Sequence, residues 1–351
     1  MAKKSKIAVV DLFCGAGGLT HGLKLEGFNV RAGIDVDPQC RYAYEANNKS
    51  KYLLKDVSKV KGLDLKEYFN NADYTMLAGC APCQPFSKYT QGKGLDSDGK
   101  WFLLNQFSRL IDETKPDFVT MENVPQLARH AILTDFKANL ESRGYQVTIS
   151  VVRCVDYGIP QSRERLVLLA SRFHSSPLKL VSASRYKKKT VKETIGHLPA
   201  ISAGGVDTED KLHRSSSLSS LNQQRIKLSK AGGSWKDWPE SMRASCHTQK
   251  SGQTYVSVYG RMEWDAPAPT MTTQCFGFGN GRFGHPEQHR AISLREAALF
   301  QTFPRTYKFE PEGVNLGMKA LGRMIGNAVP VKLGVIVARS FQKHIKEIES
   351  V

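Results

Sequence analysis

Along the first half of the chain, short apolar runs recur at 7–12, 30–34, 74–78, 118–121, 147–152 and 166–170. Each is too short for a helix and dense enough in apolar side chains to be a buried strand. Between them lie stretches with apolar residues three and four apart, such as 101–114 (WFLLNQFSRLIDET) and 132–142, which predict amphipathic helices. Buried strands alternating with amphipathic helices are the signature of a doubly wound, mostly parallel α/β sheet. From about Arg172 this regularity dissolves into Ser-, Lys- and Gly-rich sequence (SASRYKKKT, HRSSSLSSLNQQ, KAGGSWKDWP). It returns with SLREAALFQTFP, a serine-capped helix starting near Leu294, and with a final helix starting at Pro330. In that helix Leu333, Val337, Phe341 and Ile345 form a stripe predicted to pack back on the sheet. The pattern predicts three regions: a sheet domain over 1–171, a smaller loop-rich domain over 172–290, and a hinge with a returning helix over 291–351.

Composition narrows the classes. A chain of 351 residues with 40% hydrophobic residues can bury a sizeable core. No apolar stretch approaches the roughly 20 residues a membrane helix needs. The start MAKKSKIAVVDLF runs from lysines straight into a strand without a small-residue cleavage site, so a cytoplasmic protein is expected. Seven cysteines, an odd number scattered over a long chain, read as reduced thiols rather than a disulfide framework. The charge is the unusual quantity: the net value is +17, and residues 172–290 alone carry 18 basic against 9 acidic side chains. An excess concentrated in one region points to a polyanionic partner, with nucleic acid as the default.

Candidate chemistry gathers at the carboxyl ends of the predicted strands, where open α/β sheets bind ligands. DLFCGAGGLTHGL is a glycine turn leading into a helix, but the G-x-G-x-x-G pattern is incomplete: Gly15 and Gly17 fit, and Thr20 stands at the last position. Asp35 ends the second strand, where a carboxylate can hold a ribose diol, and Asp56 sits where a third strand should end. An adenosine-containing cofactor would use all of these. S-adenosylmethionine fits better than a dinucleotide, because no second glycine turn exists.

Past the strand at 74–78 comes GCAPCQPFS, with Cys83 between Pro82 and Pro85. The C-x-x-C spacing lacks a second ligand pair, so no metal site is expected. Most single cysteines are buried structural residues. Three neighbours favour chemistry here: Glu122-Asn123-Val124 at the next strand end, QSRER at 161–165 with Arg163 and Arg165 on alternate positions, and the polar, glycine-rich stretch 88–99, which has the composition of a lid.

DLFCGAGG, PCQPFS, ENV, QSRER, REAALFQTFP and IGNAVP together, in this order, resemble the DNA cytosine-5 methyltransferases. The resemblance covers nearly the whole chain except the basic middle. It implies a Rossmann-like methyltransferase sheet with a target-recognition domain, S-adenosylmethionine as methyl donor, and double-stranded DNA as partner. It implies Cys83 as the nucleophile on cytosine C6, Glu122 as proton donor to N3, Arg165 and Arg163 as holders of the cytosine carbonyl or a phosphate, and Asn123 as the residue orienting the loop. Cofactor contacts would come from Phe13, Gly15, Gly17, Asp35, Asp56, Val57, Pro82 and Asn327. The chain departs from the family at Asp35-Val36, where a glutamate and a large aromatic are usual, so the ribose contact would be shorter and the adenine stacking weaker. DNA contacts are expected from Ser87, Thr270, Arg261 and Arg282, while Trp235, Trp238 and Trp264 read as a small core beneath the recognition loops. The implied role is a monomer that modifies DNA beside a cognate restriction endonuclease acting separately. An RNA-modifying member of the same family and an inert DNA-binding regulator on this fold are the competing readings.

Overall fold

The computed structural model describes residues 6–82, 97–249 and 252–350. By its internal contacts the chain divides into two compact units. Unit 1 comprises residues 1–153, 164–185 and 329–351; unit 2 comprises 154–163 and 186–328. The expected boundaries at 171/172 and 290/291 followed composition, whereas contact places them at 185/186 and 328/329 and assigns the short connection 154–163 to unit 2.

Unit 1 is a seven-stranded mixed sheet, with strands β1 (Ile7–Leu12), β2 (Asn29–Asp35), β3 (Lys51–Leu54), β4 (Tyr74–Gly79), β5 (Phe118–Asn123), β6 (Gln146–Arg153) and β7 (Glu164–Ser171). The order is β3-β2-β1-β4-β5-β7-β6. All pairings are parallel except those of β7, which runs antiparallel to both β5 and β6. Chain direction across the sheet reverses between β1 and β4, the switch point at which such sheets open a crevice. β1 is buried throughout and β5 likewise, as the continuous apolar runs require. Helices α1 (Gly18–Leu25), α2 (Cys40–Asn48), α3 (Gly62–Lys66), α4 (Ser97–Thr114) and α5 (Ala131–Ser142) connect the strands.

The final helix, Val331–Glu349, belongs to unit 1 and packs on α1. Its predicted stripe is buried: Leu333, Val337, Phe341 and Ile345 are all below 5% exposed. The two helices approach backbone to backbone at Gly22, where a Cβ would fall 2.2 Å from the Val331 carbonyl oxygen. Among the described residues, Gly317–Glu349 is apolar enough for a membrane span by length and composition, but 72% of its apolar window is buried inside the protein.

Among the described residues the helices of unit 2 are short, including Ser220–Leu228, Leu294–Phe300 and Gly317–Asn327. Leu294–Phe300 is capped as expected: the Ser293 hydroxyl accepts from the Glu296 N–H, and the Glu296 carboxylate accepts from the Ser293 N–H. Trp235 and Trp238 are buried with Ile226, Phe278 and Ala291, which forms the expected small core. Trp264 stays half-buried, edge-on to His285.

Candidate active site

The turn after β1 alternates left-handed residues, with φ of 59° at Phe13, 50° at Gly15 and 89° at Gly17. Glycine suits two of the three, and Phe13 holds a conformation uncommon for a bulky side chain. A Cβ on Gly15 would meet nothing within 4 Å, so the turn faces open space. Asp35 ties the turn down: its Oδ2 accepts the Gly15 N–H at 2.9 Å and its Oδ1 the Asp37 N–H at 2.9 Å. Burial pushes the Asp35 pKa up, and the two N–H bonds oppose the shift. At the end of β3, Asp56 caps the turn Val57–Lys59 by accepting from the Ser58 N–H and hydroxyl, which holds its carboxyl below the usual range, while Val57 is buried.

Behind the turn lies a polar chain that the sequence reading missed. Asp11 is fully buried, and its Oδ2 accepts the Thr20 hydroxyl at 2.6 Å. The Tyr44 hydroxyl lies 3.2 Å from Thr20 Oγ1 and 3.4 Å from Ser50 Oγ, which donates to the Val30 carbonyl. Asp11 Oδ1 has no hydrogen-bond partner among the described residues. Desolvation raises the Asp11 pKa to about 7 against the pull of the Thr20 bond. Thr20, the residue that broke the glycine pattern, therefore has a function of its own: a glycine there would leave the carboxyl without its donor.

The reactive edge is set by the register of β4 on β5. Met76 pairs with Phe118 and Gly79 with Met121, a constant offset of 42 residues. The same offset continues in side chains at both ends of the pair. Thr75 donates through its N–H and hydroxyl to Asp117 Oδ2, the Cys80 thiol donates to Glu122 Oε2 at 2.8 Å, and the Asn123 amide donates to the Ala81 carbonyl at 3.1 Å. On the other side, Glu122 pairs with Val167 of antiparallel β7, so Arg165 is its diagonal neighbour on the same face. Arg165 Nε stands 2.7 Å from Glu122 Oε1. The approach is an ion pair off the N–H axis, since Oε1 has no aligned donor among the described residues. Glu122 is 6% exposed, so this is a buried carboxylate with a cation on one oxygen and a thiol on the other.

Glu122, Asn123 and Arg165 are thus brought together beside the chain leading to Cys83, with the Ala81 carbonyl, two residues before it, held by Asn123 and with Pro82 exposed. Cys83, Ser87 and residues 88–96 of the expected lid lie outside the described residues, while its last residues, 97–99, belong to helix α4. None of the six described cysteines forms a disulfide.

Residues 7–343 match the family described as C-5 cytosine-specific DNA methylase. The type II methylase M.HgiDII of Herpetosiphon aurantiacus is 52% identical over 344 residues, covering 97% of this chain and 96% of that protein. The chain belongs to the C-5 cytosine-specific DNA methylase family. The type II methyltransferase M1.HphI of Haemophilus parahaemolyticus is 30% identical across 96% of this chain and 87% of its own length. Among solved structures, one assigned as a DNA modification methyltransferase encoded within an Escherichia coli prophage superposes with a TM-score of 0.74 at 22% identity, covering 97% of this chain and 100% of that one; the likeness shows the fold.

In unit 2 of this DNA (cytosine-5)-methyltransferase the expected DNA contacts need correction. Arg261 is 3% exposed, and its guanidinium is wrapped by carbonyls: Nε and Nη2 donate to Ile226, and Nη1 to His285 and Gln288 at 2.7 Å each. Arg282 Nη1 likewise donates to the carbonyls of Gly232 and Gly233. Both residues fasten loops to one another; the buried Arg261, its guanidinium already satisfied by carbonyls, has nothing left for a base edge, whereas Arg282 is half-buried and makes these bonds through Nη1 alone. Thr270 is half-buried and donates to the Ser162 carbonyl at 3.1 Å. The alternation argument for Arg163 also fails, because β7 begins only at Glu164; Arg163 is 4% exposed and donates to the Met271 carbonyl at 2.9 Å. Asn327 is exposed at the end of helix Gly317–Asn327.

Proposed function

We propose that this methyltransferase modifies cytosine within a specific duplex sequence, with S-adenosylmethionine as methyl donor, as the modification half of a type II restriction–modification system. The observation that carries the chemical reading is Glu122: a buried carboxylate at a strand end, beside a cation and next to the chain that leads to Cys83. The restriction–modification role rests on M.HgiDII and M1.HphI, both described as type II enzymes.

The glycine turn fits an adenosyl cofactor. Space is open at Gly15, carboxylates stand at Asp35 and Asp56, and the buried Asp11 Oδ1 lacks a partner among the described residues. Phe13, Gly15, Gly17, Asp35, Asp56, Val57 and Pro82 would hold it, and the family resemblance adds Asn327. When bound, the cofactor supplies a methyl group on a positively charged sulfur.

Cytosine C5 is a poor nucleophile until electrons are pushed into the ring. The Cys83 thiolate adds to C6 while the Glu122 carboxyl gives its proton to N3, which turns the ring into an enamine with an electron-rich C5. After C5 has been methylated, a base removes the C5 proton, the C6–S bond breaks, N3 returns its proton, and Cys83 leaves as thiolate. Arg165 stands beside Glu122 and favours negative charge at the site; Arg163 is assigned to the same anion-holding role by resemblance. Attack on C6 needs the face of the ring, so the base must be flipped out of the stack. Pro82 and Pro85, on either side of Cys83 in the sequence, would lower the entropic cost of bringing the thiol to the ring.

Sequence reading is assigned to residues 172–290, with Thr270 and Ser87 as DNA contacts, and the enzyme acts as a cytoplasmic monomer with any cognate endonuclease separate. A duplex carrying 5-fluorocytosine at the methylated position tests the chemistry. A stable covalent complex on duplex DNA, absent from Cys83→Ser, is expected; a complex formed only on tRNA would move the protein to RNA modification. Exchanging 172–290 for the segment of a relative should move the bisulfite-mapped site, and retention of the original site would defeat the partition.

A further inference from the structure

We propose that Cys80 is a positioning residue for the reaction, holding the Glu122 carboxyl in the orientation from which it serves the cytosine ring. The inference rests on the reading of Glu122 as the N3 proton donor and adds a residue to it. Cys80 is the first cysteine of the C-x-x-C stretch, and spacing alone gives it no role once Cys83 is the nucleophile.

Three observations on different elements converge on it. The Cys80 N–H donates to the Leu12 carbonyl, which fixes its backbone at the carboxyl edge of β1. The offset of 42 residues between β4 and β5 then sets its side chain opposite Glu122, and the thiol reaches Oε2 at 2.8 Å. The other carboxyl oxygen is close to Arg165 Nε but off the N–H axis, so Cys80 supplies the aligned hydrogen bond that Glu122 has among the described residues. An ion pair without aligned hydrogen bonds attracts a carboxyl without fixing its torsion, whereas a donor on one named oxygen does fix it.

A single neutral donor on one oxygen orients the carboxyl while the pocket is empty and can be exchanged for the ring when it arrives. Alanine at position 80 removes the donor, and serine restores one of similar reach.

The test is single-turnover methyl transfer with labelled S-adenosylmethionine on plasmid DNA at bisulfite-mapped sites, using the full chain as wild type, Cys80→Ala, Cys80→Ser, Glu122→Gln and the double variant Cys80→Ala/Glu122→Gln. Cys80→Ala should lower the transfer rate about three- to tenfold, the scale of one hydrogen bond, with DNA and cofactor dissociation constants unchanged. Cys80→Ser should recover to within about twofold of wild type. In the Glu122→Gln background the alanine change should cost less than about twofold, because a residue acting through Glu122 has nothing left to act on. An equal loss in both backgrounds, or a loss appearing only in the dissociation constants, overturns the proposal. A Glu122→Gln enzyme with wild-type rate overturns the N3 reading itself, and that result is distinct because it requires no change at Cys80.

Discussion

Units 1 and 2 satisfy their backbone polar groups by opposite means. In unit 1 the ladders of seven strands pair N–H with C=O, and side chains are left to fill the core. Unit 2 has little regular structure, and its loop carbonyls are met instead by arginines: Arg225 on Met242, Arg261 on Ile226, His285 and Gln288, and Arg282 on Gly232 and Gly233. Arg290 and Arg295 are buried in ion pairs with Glu296 and Asp210. The lysines of the same region, among them Lys187, Lys188, Lys189, Lys192, Lys227, Lys230 and Lys236, are exposed. The positive excess of the middle region therefore has two uses. Several of its arginines, with planar five-donor forks, hold loops together, and its lysines stay exposed on the surface.

Changes at the catalytic edge of unit 1 should bring the largest losses. Cys83→Ser should abolish methyl transfer while duplex binding persists, because phosphate contacts carry most of the affinity; gel shift alongside transfer measures both. Glu122→Gln should slow transfer by roughly two to four orders of magnitude with cofactor affinity unchanged, the scale of a lost general acid. In unit 2 the largest effect should be on stability. Arg261→Ala leaves several buried carbonyls unpaired and should cost roughly 3–5 kcal/mol, read as a separate early transition in calorimetry; a single unshifted melt would mean that the arginine scaffold is not what holds this unit.

Asp11, fully buried in β1, brings the comparison back to unit 1. Its folded pKa of about 7 lies above the ordinary carboxyl value, so ionisation favours the unfolded chain and stability falls as pH rises from about 4 to about 7. Asp11→Asn removes that fall. The melting temperature of the variant relative to wild type should rise across this window by on the order of 5 °C and then level off, and a flat difference would put the Asp11 pKa at its ordinary value. The smallest effect belongs to the exposed lysines: Lys236→Ala should leave melting unchanged and lower the salt slope of duplex binding by about one if that lysine meets a phosphate.

The sheet was legible because periodicity reports burial, and six of its seven strands follow from apolar runs. β3 was foreseen only through Asp56, since its four residues KYLL include just one that is fully buried. The direction of β7 was invisible, because a buried run reads the same whether it is parallel or antiparallel. In the site, Glu122, Asn123 and Arg165 stood out as polar residues at strand ends. Cys80 and the Asp11–Thr20–Tyr44 chain did not, because each depends on register or helix packing across distant segments. Arg261 misled for a related reason: an arginine in a glycine-rich loop looks the same in sequence whether it faces solvent or holds the loop together.

The discontinuity of unit 1 also sets a timetable for synthesis. Helix Val331–Glu349, which packs on α1 at Leu19 and Gly22, is made after the whole of unit 2. At the usual rates of translation residues 186–328 take roughly 7 to 30 seconds to emerge, and throughout that interval the first strands wait with one flank bare. The nascent enzyme thus passes through a period in which its nucleophile and all seven strands have been made but α1 still lacks the helix that packs on it. A chain stopped before residue 331 would remain in that state, carrying every catalytic residue and lacking the helix that completes their support.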